Sequence, residues 1–397
     1  RQEELIKELA EFKGILLKRT QFHAGYPYNL DYNYELLQEF FNFSINNLGD
    51  PFVDSNYGID SKYFEKKVLS FFAKLYEIEE SNYWGYVTTC GTEGNLYGLL
   101  VGREVYPDGT LYASQESHYS VFKAAKLYRM KSVMLPSLEN GELNYDYFEA
   151  ALEHESQPVI LNLNVGTTMK GAIDNLDKVL DIFQRKGISQ YYIHCDGALS
   201  GMMLPFMKTS SRISFQKPID SISISGHKFI GCPMPSGIVM TRKEHVKKIE
   251  SEIEYIGSKD TTIMGSRNGH APLFLWHAIQ MKGYEGFQAD VEQCLENAQY
   301  LFSQLQKLNY SCMLNELSNT VVFKRPSEKI IKKWQLAAQG DLAHIVVMPN
   351  IDKAKIDRFI TELVSPLTLL PKDFASWKSL EPTYDNAAEC SEVLACI

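Results

Sequence analysis

No stretch of this 397-residue chain approaches the roughly 20 consecutive apolar residues needed to cross a bilayer. The N-terminal segment RQEELIKELAEFKGILLKRT is charged throughout and has no signal-peptide apolar core. It also lacks an initiator Met, which reads as a fragment or a trimmed chain. There is no CxxC pair and no Cys/His spacing of the structural-zinc kind. The seven cysteines (Cys90, Cys195, Cys232, Cys294, Cys312, Cys390, Cys396) are odd in number and scattered, so free thiols in a reducing, cytoplasmic compartment are expected. Basic residues are outnumbered, Lys+Arg 40 against Asp+Glu 49, and the net charge of −9 argues against a dominant nucleic-acid or anionic-membrane surface. Repeats, linker tracts, a Walker A loop, GxGxxG and a Ser/His/Asp arrangement are all missing. His23, His154, His194, His245, His270, His277 and His344 lack ligand spacing; they read as structural, and no metal is expected.

What is present is a globular composition, 45% hydrophobic and 22% charged, in a length that suits about two domains. The first twenty residues read as an amphipathic helix with Leu5, Leu9, Phe12, Leu16 and Leu17 on one face. A second helix is predicted over 61–76. From Trp84 onward short apolar runs alternate with helical ones. Strands are predicted at 84–89, 110–113, 131–135, 159–164, 191–195 and 221–225, and helices at 94–105, 120–129 and 176–186. That alternation implies an α/β fold with a mainly parallel sheet covered on both faces, whose ligands bind beyond the carboxyl ends of the strands. Beyond about 286 the pattern becomes more helical, with a helix at 291–308, strands at 320–323 and 343–347, and a helix at 353–364. The expected division is 1–60, an N-terminal helix and loop; 61–285, a large α/β domain; and 286–397, a small α+β domain with an irregular tail.

Three segments carry chemistry. In SISISGHKFIG, residues 221–231, a strand with Ile222 and Ile224 on one face ends in a turn that presents His227 and Lys228. A lysine just past a buried strand is poorly hydrated, which lowers its pKa and makes the amine nucleophilic; the plain alternative is a surface lysine after a turn. In YYIHCDGALSG, residues 191–201, Asp196 ends an apolar strand, and Gly197 and Ala198 let something flat approach. A helix N-cap is the other reading of that Asp. Asp196 precedes Lys228 by 32 residues, about one crossover unit. Such a pair is what pyridoxal 5'-phosphate needs: the lysine bonds the cofactor, and the aspartate holds a proton on the pyridine nitrogen so that the ring accepts electrons. The third segment, TTCGTEGN at 88–95, lies between strand and helix and would cradle an anion on backbone amides, though a plain turn explains it equally. His118 starts a helix, as a cap or as a ring stacked on the pyridine.

Together these segments resemble the group II, fold type I pyridoxal-phosphate-dependent amino-acid decarboxylases, with their Ser-x-His-Lys or Ser-Gly-His-Lys lysine. Within them the chain is most similar to the branch of plant serine decarboxylases and plant and bacterial histidine decarboxylases. The resemblance runs from about Gly25 to Val364 through GYPYNLD, SINNLGDPF, WGYVTTCGTEGN, ESHYSVFKAAK, NVGTTMKGAID, IHCDGAL, SISGHKFIGCPMP and TIMGSRNGHAP. It implies a transferase-like fold with a large sheet domain and a small C-terminal α+β domain. It implies Lys228 as the cofactor lysine, Asp196 on the pyridine nitrogen, and His118 and Ala198 on the two ring faces. Thr92, Ser225 and His227, with amides around Gly91, would hold the phosphate. It further implies a homodimer with active sites at the interface, Ser266 reaching the partner's phosphate, and Tyr255 on a mobile loop as proton donor.

Tyr26, Tyr28 and Ser200 are the expected substrate wall. Tyr28 and Cys90 match the plant serine pattern, whereas Ser200 with GMMLPF matches bacterial histidine decarboxylases. The expected reaction is decarboxylation of a small polar L-amino acid, with L-histidine to histamine just ahead of L-serine to ethanolamine and L-alanine third. The competing readings are an aminotransferase gripping its substrate with Arg325, and a non-catalytic paralogue keeping the dimeric scaffold.

Overall fold

Strand and helix alternate through the first two-thirds of the chain because its apolar runs are too short for buried helices and are bounded by turn residues. The computed structural model describes residues 1–152, 158–208 and 213–365. His154, Cys390, Cys396 and the irregular tail lie outside them. The elements are α1 (Gln2–Gln21), α2 (Lys62–Leu75), β1 (Tyr83–Thr88), α3 (Gly91–Val105), β2 (Thr110–Ser114), α4 (Tyr119–Leu127), β3 (Ser132–Leu135) and α5 (Tyr145–Ala151). They continue with β4 (Val159–Asn164), α6 (Leu176–Lys186), β5 (Tyr191–Asp196), α7 (Ser200–Met203), β6 (Ser221–Ser225), β7 (Gly237–Arg242) and α8 (Lys243–Val246). Helix ends follow local chemistry. Asn175 caps α6 by accepting from Lys178 N, and Gly187 ends it at φ 66°.

Seven strands form one sheet in the order β1-β7-β6-β5-β4-β2-β3. The run from β6 to β3 is parallel, and β7 is antiparallel to both its neighbours. The α/β expectation therefore holds. Strand β7, which sequence did not separate from the glycine- and proline-bearing segment before it, adds the antiparallel member. Helix α3 crosses this sheet on a glycine face. A Cβ on Gly91, Gly94 or Gly98 would lie 2.4 Å from Ser225 Oγ, 2.2 Å from Ser223 Oγ and 2.2 Å from His194 Nδ1 respectively. Those absent side chains bring the helix N-terminus down onto the ends of β5 and β6.

A two-stranded hairpin, β8 (Ser251–Ile253) and β9 (Ser258–Asp260), precedes α9 (His270–Lys307), which breaks at Gly283. Then β10 (Cys312–Leu314), β11 (Thr320–Lys324), α10 (Glu328–Trp334), β12 (Ala337–Gln339) and β13 (Leu342–Val346) build a four-stranded antiparallel sheet, followed by α11 (Lys353–Val364). This sheet has its own core around Trp334, Phe359, Leu301 and Ile345. None of the described helices is long and apolar enough to cross a membrane. Helix α1 forms as expected, yet it buries no residue in the single chain: Leu5, Leu9, Leu16 and Leu17 stay exposed.

One buried ion pair ties the segments below the site. Glu65 on α2 accepts from Val87 N of β1 (2.8 Å) and from Asn47 Nδ2 (2.9 Å), and it pairs with both terminal nitrogens of Arg267. Arg267 also donates to Gly49 O (3.0 Å). Arg267→Ala leaves that carboxylate buried and uncompensated, so a loss of roughly 3–5 kcal/mol is expected in denaturant unfolding. A loss under about 1 kcal/mol would mean that the pair is not sealed from water.

Candidate active site

The carboxyl ends of β4, β5 and β6, the N-terminus of α3 and strands β11, β12 and β13 of the small sheet enclose a cavity of about 470 Å³. Lys228, Asp196, His118, Gly91, Thr92, Ala198, Ser225, His227, Tyr26, Tyr28 and Ser200 all line it. Eleven of the thirteen residues singled out from sequence thus converge on one place.

Lys228 follows β6 by one turn and is the only lysine among the described lining residues. Burial lowers its pKa, and the Asp196 carboxylate opposes that shift. Its turn is clipped to the loop carrying Tyr26 and Tyr28: Asn29 N donates to Lys228 O (3.1 Å), and Asn29 Nδ2 donates to Phe229 O (3.0 Å). Asp196 closes β5 and is 6% exposed. Its Oδ2 accepts from Asn95 Nδ2 (2.9 Å) and its Oδ1 from Ala198 N (3.3 Å). His118 caps α4, as one of the two sequence readings had it, with Nδ1 accepting from Ser120 N (3.3 Å), and it also lines the cavity. Burial lowers its pKa, offset by Asp196 and reinforced by Lys228, so the ring favours its neutral form. His227 is held by Nδ1 donating to Ser236 O (2.8 Å), with the Tyr28 ring 5.7 Å away.

The loop carrying Tyr26 and Tyr28 hangs on the small sheet. Val346 N donates to Ala24 O (3.0 Å), and Ala24 N donates to Trp334 O (3.2 Å). A Cβ on Gly25 would fall 2.3 Å from Leu336 Cα, so only glycine lets the loop lie this close. His344 on β13 lines the cavity with its two ring nitrogens each 2.9 Å from a carbonyl, those of Met169 and Gly25.

Two residues stand apart. Tyr255 sits on the turn between β8 and β9, is 86% exposed and lies outside the cavity. Ser266 is also outside, where its Oγ accepts from Asn46 Nδ2 (3.2 Å). Arg325, the grip required by an aminotransferase reading, pairs with Glu328 at the surface (2.7 Å). Sequence reasoning gives no site role to Asn95 or Ser120, and reads His194 and His344 as structural. A signal existed for His194: two residues before Asp196 on a strand, it must share that residue's face.

Residues 20–325 match the family model of the pyridoxal-dependent decarboxylase conserved domain. The chain is 54% identical over 366 residues to serine decarboxylase 1 of Oryza sativa subsp. japonica, covering 91% of this chain and 76% of that protein. It is 48% identical to the histidine decarboxylase of Solanum lycopersicum, covering 91% and 89% of the two chains. Among solved structures, L-methionine decarboxylase from Streptomyces sp. 590 in complex with L-methionine methyl ester superposes with a TM-score of 0.82 at 26% identity, covering 91% and 95%. A lysine and an aspartate at neighbouring strand ends, in a chain related over this much of its length, place it in the pyridoxal-dependent decarboxylase family: it is a pyridoxal-phosphate-dependent amino-acid decarboxylase.

Proposed function

We propose that the enzyme decarboxylates L-serine to ethanolamine, with L-histidine as the second reading. The cavity fits the cofactor. The α3 amides at Gly91 and Thr92, with Ser225 and His227, offer an anion cradle that a Cβ on Gly91 would obstruct. When bound, pyridoxal phosphate supplies the electron sink for the pair left behind as CO₂ departs. Asp196 would hold a proton on the pyridine nitrogen, and His118 and Ala198 would flank the ring. Lys228 Nζ would carry the cofactor covalently. Tyr255 OH delivers a proton to the substrate Cα, and the closing loop keeps water out while it does so. Tyr255 and Ser266 act across the interface of a homodimer, a role consistent with their lying outside the chain's own cavity; the apolar face of α1 is suited to the same contact. A reducing cytoplasmic setting suits the five free thiols among the described residues.

The choice of serine rests on Ser200. The histidine reading needs this small residue to open room for an imidazole. Instead Ser200 is 3% exposed and packed onto Gly166, where a Cβ would meet its Oγ at 2.3 Å. The Gly166 turn thus packs against Ser200, which inclines this proposal to serine where the sequence reading put histidine just ahead. Serine and histidine decarboxylases both stand among the relatives, at 54% and 48% identity, and keep both substrates in view. What favours histidine is that Ser200 still borders the cavity. Purified holoenzyme incubated separately with L-serine and L-histidine should release CO₂ with ethanolamine from the first at a clearly higher kcat/KM. Histamine as the better product would overturn the choice and return attention to Ser200.

Tyr255→Phe should bind pyridoxal phosphate as the parent does while amine formation slows roughly 100-fold. A parental rate of amine formation would remove Tyr255 from the reaction.

A further inference from the structure

Behind Asp196 lies a run of buried side chains that the reaction as described does not use. Asn95, one turn into α3 and 2% exposed, donates through Nδ2 to Asp196 Oδ2 (2.9 Å) and to Ser120 Oγ (3.0 Å). Ser120 Oγ is 2.7 Å from His118 Nδ1. On the other side, Asn95 Oδ1 lies 3.0 Å from His194 Nε2. His194 Nδ1 lies 2.8 Å from Ser221 Oγ, which accepts from Tyr192 OH (2.9 Å). Ser120, His194 and Ser221 are fully buried.

We propose that Asn95 is the positioning residue of this site, one amide that fixes both the Asp196 carboxylate and, through Ser120, the His118 imidazole. The proposal rests on reading those two residues as cofactor contacts.

Only one arrangement of protons satisfies every member of the run. Asp196 as a carboxylate only accepts, so the NH₂ of Asn95 must face it and Oδ1 must face His194. Burial pushes His194 down to about 4, so the ring is neutral and carries a single proton, which Oδ1 draws to Nε2. Nδ1 then accepts from the Ser221 hydroxyl, whose oxygen in turn takes the Tyr192 proton. In the other direction His118 Nδ1 accepts from Ser120 N and so carries no proton; Ser120 Oγ, accepting from Asn95, donates its own proton to that Nδ1, leaving the proton of the neutral His118 on Nε2. A flipped Asn95 would set its oxygen against a carboxylate and its NH₂ against an N–H. The contact depends on Gly98, because a Cβ there would sit 2.2 Å from His194 Nδ1 and push the ring from its place.

Asn95→Asp tests the donor and not the shape. The new carboxyl group would face Asp196 and His194 from β5, His118 and Ser120 from the start of α4, and Lys228 beyond β6. Ionised, it repels Asp196; protonated, its O–H donates to Asp196 as the amide did. Dissociation constants for pyridoxal phosphate, from absorbance titration of the apoprotein, should therefore be roughly 10- to 100-fold weaker than the parent's at about pH 8. They should converge on the parent's as the pH falls toward about 6. Asn95→Ala should be weaker by a similar factor at both pH values, with altered circular dichroism of the bound cofactor. Apoprotein melting temperatures control for folding, and Asn95→Ala carries the test alone if Asn95→Asp does not fold. Parental affinity in these variants would overturn the proposal. Asp196→Asn separates the two levels: if it weakens binding while the Asn95 variants do not, only this inference falls. If Asp196→Asn also binds normally, the reading of Asp196 falls with it.

Discussion

Lys228→Ala is expected to give a folded protein that turns over no amino acid and lacks the visible absorption of the bound cofactor. No other lysine among the described residues borders the cavity, so no nearby amine can take over the covalent attachment. Burial holds the Lys228 pKa below the ordinary lysine value, which raises the fraction of free amine available for attack. Removing that nucleophile should cost on the order of 10⁴-fold or more in kcat. Unchanged melting of the apoprotein would locate the loss in the chemistry. A coloured and active variant would end the assignment.

Asp196→Asn removes a charge and almost no volume. An amide cannot hold a proton on a pyridine nitrogen as a carboxylate does, so the ring would lose its capacity to take up the electron pair. A fall of roughly 10³-fold in kcat is expected, with the melting temperature close to the parent's. Full activity in this variant would contradict the electron-sink role. Steady-state rates at saturating cofactor decide it, because weaker binding alone would then be masked.

The parts of the fold that could be read from sequence were those with short-range causes. Strands β4 and β6 and helix α6 have the predicted limits because each is an apolar or amphipathic run bounded by turn or capping residues. Helix α3 begins at Gly91 and not at 94: two glycines and a threonine look like a turn until the sheet beneath them is known. The first half of α9 was missed because HAPLFLWHAIQ is apolar nearly all round, as suits a buried helix but defeats a periodicity count. Lys228, Asp196 and His118 could be found because strand ends and helix starts are visible in sequence. Asn95, Ser120 and His344 could not, since each matters only through the element that packs against it.

The loop bearing Tyr26 and Tyr28 is suspended from the small sheet, while Lys228, Asp196 and the α3 cradle are anchored in the large one. The proposed recognition loop and the proposed reactive groups therefore have different main anchors, joined where Asn29 N donates to Lys228 O and Asn29 Nδ2 to Phe229 O. On the proposed reading, exchanges in or behind Gly25–Tyr28 would retune substrate choice with their costs falling on the small sheet, as long as the Asn29 link to the Lys228 turn is kept. For an engineer the same separation sets the order of work: libraries belong in the suspended loop and along β12 and β13, and the glycine face of α3 is best left untouched.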